Sequence, residues 1–182
     1  MNTKLKHNII LIGFMGSGKT SVGERLAKRM SYQFQDTDLL IEQKAGDTIN
    51  HIFQTRGEEY FRSLETNLLM ELHTSLKNTV LSTGGGLPMI GQNTKLLKEL
   101  GYVVYLKATK GTVIKRLKGD TTRPLLAGED PEGKIERLMN VRGPFYEKAA
   151  DKIIATDDKS FDEIINLIME TYLKQIYALP RR

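Results

Sequence analysis

The chain has 182 residues, 40% of them apolar, with 27 Lys and Arg against 22 Asp and Glu for a net charge of +5. One domain of that length buries roughly two-thirds of its unfolded surface, which excludes disorder as the ground state and any need for covalent staples. The sequence has no cysteine, which excludes a disulfide framework, Cys-ligated zinc, iron–sulfur clusters and a thiol nucleophile, and fits a reducing compartment.

From the N-terminus, Lys4 and Lys6 precede an apolar run at Ile9–Ile12. Gly13 and Gly16-Ser17-Gly18-Lys19 cut that run short of a signal-peptide core, and no small-residue cleavage site follows. No stretch approaches the ~20 apolar residues of a membrane span. The expectation is a cytoplasmic protein with no membrane partner.

Short β-rich runs then alternate with segments of helical period. Strands are predicted at Asn8–Ile12, Phe34–Asp36, Thr79–Thr83, Tyr102–Leu106 and Lys152–Ala155. Helical stripes run through Val22, Leu26 and Met30, through Phe61, Leu64, Leu68 and Leu72, and through Ile164, Ile165, Ile168 and Tyr172. The last is opened by the capping box Ser160-x-x-Glu163. This order predicts an α/β fold with a mainly parallel five-stranded sheet covered on both faces. Two segments break the rhythm. Residues 38–76 read as a purely helical insertion divided by Gly46 and Gly57, and residues 118–134, rich in Gly, Pro and charge, read as a mobile loop. No repeat or interdomain linker appears, so residues 1–182 read as one domain.

The pI near 9.3 invites a nucleic-acid reading. The charge is +1 over residues 1–91 and +4 over residues 92–182, with acidic residues interspersed. That is a solvated surface of mixed sign, and no nucleic-acid partner is expected.

The chemistry-bearing motifs fall at strand ends. Gly13-Phe14-Met15-Gly16-Ser17-Gly18-Lys19-Thr20 matches G-x-x-x-x-G-K-[ST] between the first strand and a helix. There, backbone N–H groups and the helix N-terminus converge on phosphate, Lys19 reaches the β/γ-phosphates and the Thr20 hydroxyl can ligate Mg²⁺. GTPase switches carry N-K-x-D as well, which is missing here, and Asp130-Pro131-Glu132-Gly133 matches D-x-x-G only by chance. Asp36-Thr37-Asp38 ends the second strand, where ligands bind in open α/β sheets. Its two carboxylates can hold magnesium and an acceptor hydroxyl, or serve as helix N-caps, and spacing alone does not choose. Gly84-Gly85-Gly86 ends the third strand and reads as backbone brought close to a ligand, with a flexible turn as the alternative. His7, His51 and His73 have no metal-ligand spacing.

Taken with Glu58-Glu59-Tyr60-Phe61-Arg62, Thr122-Arg123-Pro124-Leu125-Leu126 and Arg142-x-x-x-Tyr146, these motifs resemble those of the shikimate kinase family in order and spacing from residue 8 to about 170. The resemblance implies a three-layer, nucleoside-monophosphate-kinase-like P-loop fold with a substrate-binding insertion and a mobile lid. It implies transfer of the γ-phosphoryl group of ATP to the 3-hydroxyl of shikimate, giving 3-phosphoshikimate on the way to chorismate and the aromatic amino acids.

It also assigns residues. Gly16, Ser17, Gly18, Lys19, Thr20 and Ser21 would hold ATP; Arg123 would reach its phosphates and Arg116 its adenine. Thr20 would bind Mg²⁺ directly and Asp36 through water. Asp38 would bind the acceptor hydroxyls and act as base, with Lys19 and Arg123 beside it in catalysis. Arg62 and Arg142 would grip the shikimate carboxylate, with Gly84, Gly85 and Gly86 also on the substrate. The family often has an arginine on adenine near Asp157-Asp158-Lys159, where this chain offers Lys159, so that contact is left unassigned. The only expected partners are small molecules, with the protein a monomer. The rival readings are another small-molecule P-loop kinase, for example gluconate-kinase-like, and a nucleotide-dependent binding protein with no acceptor.

Overall fold

The computed structural model describes residues 7–118 and 130–178. Five strands, β1 (Ile9–Ile12), β2 (Gln33–Asp36), β3 (Thr79–Ser82), β4 (Tyr102–Lys107) and β5 (Lys152–Ala155), form one parallel sheet in the order β2-β3-β1-β4-β5. All five lie within a residue or two of their predicted places. β1 is central and wholly buried, as expected of an all-apolar strand covered on both faces.

Seven α-helices stand among the described residues: α1 (Lys19–Met30), α2 (Thr37–Ala45), α3 (Ile49–Ser75), α4 (Gly91–Leu100), α5 (Lys110–Leu117), α6 (Pro131–Ala149) and α7 (Phe161–Ala178). Val22, Leu26 and Ala27 of α1 join Ile164, Ile165, Ile168 and Tyr172 of α7 on one face of the sheet. Phe61, Leu68, Leu69 and Leu72 of α3, Leu97 and Leu100 of α4, and Ile135 and Tyr146 of α6 cover the other. The result is three layers. Asn8 ties the strand starts together: its amide donates to the Leu76 and Leu100 carbonyls, and its oxygen accepts from Thr79 N–H. A buried amide satisfied in this way also fixes strand register.

The helices between β2 and β3 are α2 and α3. Gly46 caps α2 in the left-handed region, and Gly57 interrupts α3 at φ 79°, ψ 174°, so both glycines break the insertion where predicted. The Ser160–Glu163 box opens α7, with Glu163 accepting from Ser160 N–H and Ser160 Oγ accepting from Glu163 N–H. The loop read over 118–134 ends earlier than expected. Asp130 caps α6 through Gly133 N–H, with Pro131 at the first helical position, so 131–134 are its first turn. That cap is also the structural role of the chance Asp130–Gly133 match. Residues 119–129 lie outside the described residues.

No atom comes within 4 Å of a Cβ built on Gly57, so the only obstacle to a side chain there is the backbone angle. Gly57→Ala should cost about 1–3 kcal/mol, lowering Tm by about 2–4 °C for each kcal/mol at this chain length. A thermal melt unchanged from wild type would show that α3 does not need that break.

Candidate active site

Because the sheet is parallel, β1, β2, β3 and β4 end at one edge, and the residues that follow them face a common space. After β1 the chain turns through Gly16 (φ 76°) and Gly18 (φ 94°), angles that favour glycine, and enters α1 with no side chain capping it. The unpaired N–H groups of that helix start make an anion cradle. Lys19 Nζ lies along the loop, donating to the Gly13 and Phe14 carbonyls at 2.9 and 3.0 Å. From α5, Arg116 Nη1 donates to the Gly16 carbonyl at 3.0 Å, and Leu117 packs against Gly16. The Ser17 side chain is buried and its hydroxyl has no hydrogen-bond partner, while Ser21 is exposed on the first turn of α1.

The Thr20 hydroxyl donates to Asp36 Oδ2 at 3.5 Å, and Asp36 Oδ1 accepts from Asp38 N–H at 2.9 Å. Asp36 is therefore the N-cap of α2, the structural one of the two roles left open by spacing, and also the carboxylate beside Thr20. Thr37, already helical, accepts from Gly84 N–H at 2.9 Å and ties the glycine triplet to α2.

A second cleft adjoins the cradle. Met15, Ile49, Phe53 and Phe61 provide its apolar walls; Asp38, Arg62, Glu65, Arg142 and the backbone of Gly84–Gly86 provide its polar ones. Asp38, Met15 and Gly85 also line the cleft formed by Gly16, Gly18, Lys19, Thr20, Ser21 and Asp36. Each end glycine of the triplet makes room for a charged side chain. A Cβ on Gly84 would sit 2.6 Å from Asp38 Oδ1 and 2.9 Å from Glu65 Oε1, and one on Gly86 would collide with the Arg62 guanidinium. The close approach expected of the triplet is thus made in part to the protein's own side chains.

Two residues here were missed as functional. Glu65, fully buried, accepts from Arg62 Nη1 at 2.7 Å, while its Oε1 has no hydrogen-bond partner. Burial pushes its carboxyl up to about 7, with the nearby Asp38 charge adding to the rise and Arg62 and Arg142 opposing it. For Arg62 itself burial works against the charge, but Glu65 and Glu58 outweigh it and hold the guanidinium above its ordinary value. Tyr146, one turn beyond Arg142, donates its hydroxyl to the Gly85 carbonyl at 2.5 Å and stacks on Tyr105 at 5.1 Å. Burial drives its phenol well above the ordinary range, so it stays protonated and a donor. The available sequence signals were helical spacings: Glu65 three residues after Arg62, and Tyr146 four after Arg142.

Of the residues singled out in the sequence, Gly16, Ser17, Gly18, Lys19, Thr20, Ser21, Asp36 and Arg116 gather at the cradle. Asp38, Arg62, Gly84, Gly85, Gly86 and Arg142 gather at the second cleft. Arg142 is buried and lies over the Phe14 ring at 5.8 Å. Arg123 lies outside the described residues.

A family model described as shikimate kinase matches residues 15–173. A shikimate kinase of Caldanaerobacter subterraneus subsp. tengcongensis is 41% identical over 92% of this chain and 96% of that protein. The solved structure of the Acinetobacter baumannii shikimate kinase, in complex with shikimate, superposes at a TM-score of 0.88 with 40% identity, covering 94% of this chain and 95% of that one. A gluconokinase from Sinorhizobium meliloti superposes at 0.59 with 15% identity over 96% of this chain and 95% of its own, a likeness of fold alone.

The raised carboxyl of Glu65 makes a signed prediction. Folded Glu65 keeps its proton up to about pH 7, whereas the unfolded side chain releases it near 4.5. The folded state therefore binds more protons between those values, and stability from this group falls as pH rises through them. Glu65→Gln removes that dependence, so its Tm should gain on wild type between pH 5 and pH 8. Parallel Tm–pH curves for the two proteins would contradict the assignment.

Proposed function

This chain belongs to the shikimate kinase family, and from that premise we propose how its own residues divide the transfer of a phosphoryl group from ATP to shikimate. The protein is an enzyme, a kinase acting on shikimate within aromatic biosynthesis. The observation that carries the assignment is that Asp38 and Gly85 line both clefts, one built as a phosphate cradle and the other holding two arginines.

The loop Gly13–Gly18, Lys19 and the N-terminus of α1 hold the triphosphate, where fixed N–H dipoles and an ammonium favour charge spread over the transferring group. Gly16, Ser17, Gly18, Thr20 and Ser21 complete that binding surface, and Arg116, held on the cradle's rim by the Gly16 carbonyl, takes the adenine side as the family resemblance implies. Arg62 and Arg142 hold the shikimate carboxylate. Guanidinium forks suit a planar carboxylate better than an ammonium does. Gly84, Gly85 and Gly86 offer backbone to the same ligand, with the Tyr146 hydroxyl fixing the Gly85 peptide.

Asp38, at the junction, accepts a hydrogen bond from the 3-hydroxyl and takes its proton. The hydroxyl oxygen forms the new bond to the γ-phosphorus, the bond to the β,γ-bridging oxygen breaks, and ADP leaves. The apolar walls of Met15, Phe53 and Phe61 limit water, the competing acceptor. The part given to Arg123, reaching the phosphates, rests on its motif alone.

The Thr20 hydroxyl and Asp36 carboxylate are hard oxygen donors of the kind Mg²⁺ takes. Among the described residues no group of three or more His, Cys, Asp or Glu could cage an ion. One hydroxyl and one carboxylate fit a magnesium ion held mainly by phosphates and water, with Thr20 as direct ligand and Asp36 acting through water. When bound, that ion neutralises phosphate charge and orients the γ-group.

Residues 1–182 act as one kinase domain, with residues 38–76 as acceptor-binding insertion and the segment between α5 and α6 as lid, working as a cytoplasmic monomer. Light scattering on a purified sample should then give about the 20.6 kDa of one chain. No described helix is long and apolar enough to cross a membrane.

Coupled ADP release should require both shikimate and Mg²⁺, and should fall to background when gluconate replaces shikimate or when a chelator removes the metal. Turnover with gluconate and none with shikimate would transfer the chain to the other kinase class, and ATP binding without turnover would make it a binding protein. Asp38→Asn should lower kcat on the order of 10²–10⁴-fold; near-wild-type turnover would remove Asp38 from both proton transfer and hydroxyl orientation.

A further inference from the structure

Arg62 holds two carboxylates of its own chain. Its Nε and Nη2 both donate to Glu58 Oε1, at 3.2 and 2.7 Å, so the side edge of the guanidinium is closed by a carboxylate four residues earlier on α3. Its Nη1 donates to Glu65 Oε2 at 2.7 Å, and the end of the fork formed by Nη1 and Nη2 packs on Gly86. Bidentate recognition of a carboxylate needs two parallel N–H groups on one edge. The edge not backed by Gly86 and Glu65 is the one that Glu58 occupies.

The two internal carboxylates differ in how easily they leave. Glu65 is fully buried with Oε1 already unpartnered, and removing Arg62 from it would leave the whole carboxyl without a hydrogen bond in the core. The Glu58 side chain is 56% exposed, follows the break at Gly57, and has Arg62 as its one partner among the described residues. The Arg62 side chain is only 16% exposed, but the Glu58 carboxylate reaches water and is rehydrated when it leaves, so it exchanges with another anion more readily than Glu65 does.

We propose that Glu58 is an internal competitor for Arg62: the acceptor's carboxylate binds by displacing the Glu58 carboxylate from the Nε–Nη2 edge. This rests on the reading of Arg62 as a carboxylate-binding residue. The exchange keeps Arg62 paired throughout and leaves its bond to Glu65 untouched. Glu58 thus weakens the binding of anionic acceptors at this edge, and an uncharged ligand, which does not displace it, is left unaffected.

Calorimetric titration of the full chain tests this with two probes, shikimate and its uncharged methyl ester. Glu58→Gln should bind shikimate about twofold to fivefold more tightly than wild type, the order of an ion pair with one partner open to water, while the ester's affinity stays the same in both proteins. Glu58→Asp, whose shorter side chain reaches Arg62 less well, should fall between them. Unchanged or weaker shikimate binding in Glu58→Gln would overturn the competitor role, as would an equal gain for the ester, which would mark a general loosening of the cleft. Arg62→Gln in the Glu58→Gln background separates the two layers of the inference. Shikimate binding that survives it would remove the reading of Arg62 itself, whereas a loss there without a gain in Glu58→Gln would remove only the competitor.

Discussion

The parallel register of the sheet places every group that matters. Ile10 pairs with Leu81 and with Val103, and Asp36 pairs with Ser82, so the phosphate loop, the Asp36–Asp38 turn and the glycine triplet leave the sheet at one level. An antiparallel pairing would send one of these segments to the opposite end, more than a strand's length away. The register rests in turn on the burial of β1 and on the Asn8 amide, which bonds to three backbone groups on neighbouring segments. Exchange of that amide for an apolar side chain would leave three buried backbone groups to find other partners, and the level of the strand ends would depend on packing alone.

Given that edge, the second demand is electrostatic. Asp38, Glu65, Arg62 and Arg142 stand around one small cleft, and charges withdrawn from water must be paired. The pairing is uneven. Arg62 spends donors on Glu58 and Glu65, Arg142 lies over Phe14, and Glu65 is left with an oxygen that bonds to nothing beside Asp38. Burial therefore raises Glu65 to about 7 even with a guanidinium at 2.7 Å. An acid that is neutral for part of the physiological range moderates the repulsion between two carboxylates at the junction of the clefts.

Sheet, layers and phosphate cradle were legible in the sequence because they depend on local signals. A run such as Ile9–Ile12 reads as buried strand, Gly46 and Gly57 punctuate helices, and Gly16 and Gly18 need left-handed angles that follow from their own residue type. The acceptor cleft was legible only in part. Arg62 and Arg142 lie on α3 and α6, far apart in the chain, and spacing alone cannot say that two exposed-looking helical arginines turn inward to the same cleft. Glu65 was missed because a glutamate three residues after an arginine usually marks a solvated ion pair, and its burial depends on Gly84 and Asp38 arriving from another part of the chain. Tyr146 was quoted as a motif position without a task, since its task is to reach the carbonyl of Gly85, 61 residues earlier.

The glycine triplet shows how the absence of side chains can be functional. Three consecutive glycines suggest backbone pressed against a ligand, and the structure divides that pressure. Gly84 clears Asp38 and Glu65, Gly86 clears the Arg62 guanidinium, and Gly85 presents its carbonyl to Tyr146 while its Cα faces the Gly13 carbonyl and Met15 N–H across the phosphate loop. The Asp38 carboxylate, the Arg62 guanidinium and the phosphate loop therefore all meet one three-residue stretch of backbone. A methyl group at Gly84 would push on the first, one at Gly86 on the second, and each push would pass to the other through the Glu65–Arg62 bond. The triplet is better understood as the common floor on which Asp38, Arg62 and the phosphate loop are set to one another than as a flexible turn.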